Sequence, residues 1–288
     1  MNLQGHIEDF DTLDSRQFVI ALRKLANSLS YGIDKSLFIG SGVEYVQSRP
    51  YQMGDSIRAI DWRVTARTGR FHVKEYETPK SVPFYLLVDT SASMAVGSEA
   101  RSKYHTALFI AGGLALAALD RVSPVGMIAV GERALRIQPS LSTARVMQWL
   151  LLLRTYRFDE HTTIAARISQ LLPSLPSRSM FVVLSDLHDP DALGALKRLS
   201  QQHDCIALQL EDPAEQGRRG AGFFRAREAE TGREFVTHGR KRWIDPERAS
   251  GELKRCGIDH LRIRIGEPFA HSLRQLFRAR GWMGKGER

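Results

Sequence analysis

The 288-residue chain is nearly free of cysteine: Cys205 and Cys256 stand alone, without metal-ligand spacing. Two such residues make neither a disulfide scaffold nor a zinc module, and a pair of reduced, buried thiols is the expectation. No apolar run is long enough for a bilayer. The longest uncharged apolar stretch, Thr106 to Leu119, falls short of the roughly 20 residues a membrane span needs. The first thirty residues carry charges throughout and lack the apolar core of a secretory signal, so a cytoplasmic protein is expected. Also missing are a G-x-x-x-x-G-K-[ST] phosphate loop and a G-x-S-x-G nucleophile elbow. No internal repeat and no long low-complexity linker interrupts the chain.

Charge is unevenly placed. The net charge is +9, and Arg218 to Arg288 holds 18 Lys/Arg against 9 Asp/Glu, so this last quarter carries the whole excess. A positive face suffices for weak, salt-sensitive contact with nucleic acid. With no zinc motif and no aromatic-interleaved RNA signature, specific nucleic-acid binding is not expected. A solvated face or an acidic protein partner accounts for the charge equally well. The apolar fraction of 43% and charged fraction of 25% are those of a globular protein with ample core.

What the chain does have is the stretch Phe84 to Met94, FYLLVDTSASM. Five apolar residues in a row suit a strand buried on both faces of a parallel sheet. They end in Asp89, Thr90, Ser91 and Ser93, one carboxylate and three hydroxyls where a strand would leave the sheet. Ligands of open α/β sheets bind at that end of the strands, and hard oxygens of this kind suit magnesium. The competing reading is capping of the next helix by Ser and Asp.

Helical and strand patterns then alternate. Helices are predicted over Thr12–Ser28, Lys103–Leu119, Thr143–Leu153, from Ile164 to Leu172, and over Asp191–Gln201, Pro246–Cys256 and Pro268–Arg280. Strands are predicted over Phe71–Tyr76, Val125–Val130, Arg133–Gln138, Met180–Leu184, Cys205–Leu210 and His260–Ile265, with a hairpin over Phe223–Phe235. This order argues for a doubly wound α/β fold, a mostly parallel sheet flanked by helices. Gly112-Gly113 would let a neighbouring backbone approach the helix Lys103–Leu119 closely, at a propensity cost of roughly 1 kcal/mol each. Asp186 ends another apolar strand, and Asp189-Pro190 suits a helix start better than Asp186 does.

Between Arg49 and Glu77 lies a stretch dense in charge, aromatics and glycine turns. Ion pairs among Asp55, Arg58, Asp61, Arg63 and Arg67 would knit it together, each contributing about 0–1 kcal/mol if exposed. Its pattern R-x-Y-x-x-G-D-x-x-R-x-I-D-W-x-x-x-A-R-x-G is carried by Arg49, Tyr51, Gly54, Asp55, Arg58, Ile60, Asp61, Trp62, Ala66, Arg67 and Gly69. It resembles the signature of domain-of-unknown-function family 58, in which such a segment precedes a von Willebrand factor type A-like domain. The resemblance implies three parts: residues 1–80 with the N-terminal helix and signature, 81–265 as the type A-like domain, and 266–288 as an Arg-rich helix and tail. It also implies a metal-ion-dependent adhesion site holding Mg2+ or Mn2+ on Asp89, Ser91, Ser93, Thr162 and Asp186. The family often has Gly-Gly before this Thr and Asp after it, where this chain has Glu160-His161 and Thr163, so Thr162 and Thr163 both remain open. Relatives tend to accompany MoxR-type AAA+ ATPases, which implies a non-enzymatic interaction module whose partner supplies an Asp or Glu to the metal. Arg58, Asp61, Trp62 and Arg67 are the candidate partner contacts of the signature segment. The rival reading is a haloacid-dehalogenase-like phosphohydrolase with Asp89 as nucleophile. It requires an acidic residue two positions on, where Ser91 stands.

Overall fold

The computed structural model describes residues 4–6, 15–30, 44–77, 82–95, 97–132, 135–157, 159–175, 178–216, 223–227, 234–238 and 246–280. The chain forms two compact units, Met1–Gly32 with Val82–Arg288, and Ile33–Ser81. The larger unit opens with β1 (Gln4–His6) and α1 (Ser15–Ser30). The smaller holds β2 (Glu44–Pro50), α2 (Trp62–Thr68) and β3 (His72–Glu77). The larger then continues with β4 (Phe84–Val88), α3 (Ala92–Ala95), α4 (Lys103–Leu119), β5 (Val125–Ala129), β6 (Arg136–Ser140), α5 (Thr143–Leu153), β7 (Thr155–Arg157) and α6 (Ile164–Leu171). It ends with β8 (Met180–Ser185), α7 (Ala192–Gln202), β9 (Asp204–Glu211), β10 (Phe223–Arg227), β11 (Glu234–His238), α8 (Pro246–Arg255), β12 (Asp259–Arg264) and α9 (Ala270–Arg280).

Six strands form the central sheet in the order β12-β9-β8-β4-β5-β6. All neighbours are parallel except β6, which returns antiparallel along β5. The apolar runs explain the parallel centre: every residue of β4, β5 and β8 is buried, as a strand covered on both faces requires. The polar edge strand β6 is half exposed. Tyr85, Leu87, Phe181 and Val183 pack with α6, α7 and α8 on one face. The pleat turns Leu86 and Val88 to the other face, where α4 lies across β4, β5, β8 and β9. This is the doubly wound, Rossmann-like plan read from the sequence. The winding reverses between β4 and β8, which is the place where such sheets bind ligands.

Helix α1 belongs to the same compact unit as the sheet. Its stripe Leu22, Leu25, Ala26 and Leu29 is buried at helical spacing, and it closes on α4 at the glycine pair. A Cβ on Gly113 would lie 2.5 Å from Leu25 Cδ2, and one on Gly112 2.9 Å from Leu22 Cδ2. Helix α7 runs from Ala192 to Gln202, one residue displaced at each end from the predicted Asp191–Gln201. Asp189 Oδ1 accepts from Asp191 N (2.8 Å), a local turn just before the helix. The hairpin pairs Phe223–Arg227 with Glu234–His238; its turn, Thr231-Gly232, lies outside the described residues, as do residues 12–14 at the start of the first predicted helix.

In the smaller unit β2 and β3 pair antiparallel. The ion pairs differ from the expected set. Asp55 takes a two-pronged contact from Arg49 (2.7 Å to each oxygen), which with the Gln52 N–H holds its carboxyl down at about 2. Asp61 serves as helix cap: Oδ1 accepts from Arg63 N and Val64 N, and Oδ2 accepts from Ser48 Oγ at 2.7 Å.

The α1–α4 contact generates a paired test. Gly113→Ala should destabilise the protein by about 1–3 kcal/mol through overpacking against Leu25, despite its better helix propensity. In Gly194→Ala on α7, the nearest neighbour is Arg198 Nη1 at 3.9 Å, so stability should rise by about 0.5–1 kcal/mol. Urea denaturation of the two variants measures both; stabilisation by Gly113→Ala would contradict the close approach.

Candidate metal centre

The register brings two carboxylates together. Val88 pairs with Leu184, so the chain leaves β4 as Asp89-Thr90-Ser91 beside the point where it leaves β8 as Asp186. Asp89, Ser91 and Asp186 are each 1% exposed. Asp89 Oδ1 accepts from Ser91 N (3.0 Å), and Oδ2 accepts from Ser185 Oγ (2.6 Å). The Ser91 and Ser93 hydroxyls lie 3.1 Å apart, and Ser93 lies close enough to the Asp186 carboxylate to help hold its pKa down. Four of the five expected residues therefore form one connected cluster at the reversal of the sheet.

The loop before α6 is stitched to this cluster. Glu160, fully buried, accepts from Thr90 Oγ1 (2.6 Å), and its backbone carbonyl accepts from Ala92 N (2.7 Å). Glu160 thus takes a structural place where the resemblance leads one to expect glycine. Thr163 is spent on the loop itself: its hydroxyl donates to Gly131 O (2.7 Å) and its N–H to Val130 O (2.9 Å). The Thr162 hydroxyl oxygen is buried in the same loop.

Three further groups crowd the site. Lys103, on the first turn of α4 and 2% exposed, donates from Nζ to Asp186 Oδ2 at 2.8 Å and to Glu215 Oε1. His188 Nδ1 lies 3.3 Å from the same Asp186 oxygen, and its Nε2 lies 3.9 Å from Glu215 Oε2. Asp186, His188 and Glu215 form a group with metal-ligating atoms within 4.8 Å of one another. Leu187, between Asp186 and His188, is held left-handed at φ 58°. Backbone strain of that kind costs on the order of 1 kcal/mol and clusters at functional sites.

The two carboxylates titrate in opposite directions. Burial pushes Asp89 up, the negative charge of Asp186 adds to the shift, and together they outweigh the hydrogen bonds from Ser185 and Ser91 to reach about 7. Burial also pushes Asp186 up, but the Lys103 ammonium, His188 and Ser93 outweigh it and hold that carboxyl below its usual range. Each group of the cluster is a hard oxygen donor, so the donor set fits a hard divalent cation.

Comparison with known proteins agrees with the motif in the smaller unit. The profile of the family described as protein of unknown function DUF58 matches residues 47–248. The chain belongs to the DUF58 family. The uncharacterized protein Rv1480 of Mycobacterium tuberculosis is 26% identical over 242 residues, covering 81% of this chain and 76% of that protein. The same figures hold for the uncharacterized protein Mb1516 of Mycobacterium bovis. The uncharacterized protein YeaD of Bacillus subtilis is 33% identical over 88 residues, 30% of this chain and 22% of that protein.

For this DUF58 chain, the signature-segment candidates divide by exposure. Arg58, Trp62 and Arg67 are exposed, whereas Asp61 is 6% exposed and its carboxylate is committed to the cap and Ser48. Sequence reading did not single out Lys103 or Glu215. Lys103 had a signal: a lone cation on the first turn of a wholly apolar helix, at the end where the helix dipole disfavours it. Glu215 had none, as one acid among several beyond β9.

The Asp89 shift sets a pH test. A carboxyl raised from 3.8 to about 7 keeps its proton in the folded state and loses it in the unfolded one across that window. The folded state there binds more protons, so this group's contribution to stability falls as pH rises. In chelator, wild type should lose stability relative to Asp89→Asn between about pH 4 and 7, read from urea midpoints. Parallel profiles would contradict the assignment.

Proposed function

We propose that this protein is a non-enzymatic interaction module that holds Mg2+ or Mn2+ at Asp89, Ser91, Ser93, Thr162 and Asp186. The observation that carries the reading is the hydrogen-bonded cluster of carboxylates and serine hydroxyls at the reversal between β4 and β8. Thr162 completes the set in preference to Thr163, whose hydroxyl is engaged by Gly131. On this reading the set is the metal-ion-dependent adhesion site of a von Willebrand factor type A-like domain that the resemblance implies. When bound, the ion supplies a positive centre that a partner's carboxylate recognises.

The chain's own residues set the terms of that contact. Asp89 and Asp186 are deeply buried, while Ser93 and Thr162 are half-buried and His161 is exposed. A partner therefore approaches over Ser93 and the loop before α6. Both Asp89 oxygens accept hydrogen bonds and the residue is 1% exposed, an arrangement suited to holding a neighbour in place and poorly suited to nucleophilic attack. In the smaller unit, Met53, Ile57, Trp62 and Phe71 are 101%, 71%, 63% and 58% exposed, beside the exposed Arg58 and Arg67. Apolar and Arg side chains together mark a contact surface. The proposed partner class is a MoxR-type AAA+ ATPase, in a chaperone-like or complex-maturation role, on the strength of the resemblance.

Titration calorimetry tests the metal. Mg2+ or Mn2+ should bind wild type, and Ser91→Ala with Ser93→Ala should weaken binding by at least about tenfold; equal affinities would overturn the site. A MoxR-type ATPase from the same organism should co-purify with the protein in Mg2+ and be lost in chelator. Retention in both conditions would remove the metal from the contact.

A further inference from the structure

We propose that the Lys103 ammonium is the built-in cation of this site, competing with a divalent ion for Asp186 and handed to Glu215 when the ion binds. The inference rests on the metal reading above and concerns what controls loading. Lys103 is 2% exposed at the amino end of α4, a position where both burial and the helix dipole oppose a positive charge. What offsets them is contact with two carboxylates, Asp186 at 2.8 Å and Glu215.

The two contacts are of different kinds. Asp186 belongs to the oxygen cluster: it leaves β8 beside Asp89, and its Oδ2 carries both Lys103 Nζ at 2.8 Å and the approach of His188 Nδ1 at 3.3 Å. Glu215 flanks the Asp186 and His188 side of the site, away from the Asp89–Ser91–Ser93 hydrogen bonds, on the short turn Pro213–Gln216 beyond β9, with its side chain 21% exposed. A divalent ion among Asp89, Ser91, Ser93 and Asp186 would share a carboxylate with an ammonium only one hydrogen bond away. Like charges at that separation in a buried site repel strongly. A lysine on a flexible four-carbon stem relieves the repulsion by leaning to its second acceptor. Glu215 keeps the ammonium paired, so the exchange leaves no bare buried charge. Metal loading is thereby tied to the start of α4 and to the Pro213–Gln216 turn.

Two variants separate this role from a passive ion pair. Lys103→Met keeps an unbranched side chain of nearly the same length and removes the ammonium, and Glu215→Gln removes the second acceptor's charge. Protein freed of metal by chelator is titrated with MnCl2 by calorimetry, and thermal unfolding is followed with and without saturating Mn2+. Lys103→Met should bind Mn2+ at least about tenfold more tightly than wild type, with its lower metal-free melting temperature restored by the ion. Glu215→Gln should bind more weakly than wild type, because the ammonium then has only Asp186 as a charged partner. Equal or weaker binding by Lys103→Met would overturn the competition while leaving the metal site standing. If Lys103→Met does not fold, Lys103→Gln takes its place: tighter binding than wild type supports the exchange, and equal or weaker binding refutes it. Absence of Mn2+ binding by wild type and both variants would refute the metal reading itself, and the competition with it.

Discussion

Two carboxylates leave neighbouring parallel strands side by side, in a place nearly sealed from water. Asp89 and Asp186 repel each other there, and both face the penalty of burying charge. The surrounding structure answers that conflict. Ser185, Ser91 and the Ser91 N–H serve Asp89; Ser93, Lys103 and His188 serve Asp186. The unequal supply of positive charge leaves one carboxyl prone to keep its proton and the other firmly ionised. Every functional statement about the protein follows from how these two buried carboxylates are met.

The fold serves this arrangement by making the rim rigid. Strands buried on both faces cannot slip without exposing apolar residues, so the level pairing of Val88 with Leu184 is fixed by packing on both sides. Close seating of α1 on α4, through Leu22 and Leu25 over the glycine pair, adds a second layer behind the helix that carries Lys103. The loop before α6 is pinned by Glu160 to the same turn that holds Ser91 and Ser93. Preorganisation of this kind lets short hydroxyl side chains act as a set.

Much of this was legible in the amino-acid order, for identifiable reasons. Unbroken apolar runs such as Phe84–Val88 mean two-sided burial, and acids following them mark the ligand end of the sheet. Gly112-Gly113 in an otherwise unbroken helix announced a close neighbour. What stayed hidden depends on contacts between distant residues. Lys103 meets Asp186 across 83 positions and Glu215 across 112, and no local pattern encodes such a meeting. Asp61 looked like a recognition residue because charged, aromatic surroundings resemble a surface; its hydrogen bond to Ser48, formed only when the hairpin closes, draws it inside.

The central claim is that the buried acids form a cation site, occupied by a lysine until a divalent ion arrives. Anomalous diffraction from crystals grown with manganese tests it directly. The account predicts a manganese peak bounded by Asp89, Ser91, Ser93, Thr162 and Asp186, with Lys103 Nζ drawn away from Asp186 toward Glu215. Crystals soaked to saturation that show no peak there, with Lys103 still seated on Asp186, would contradict it.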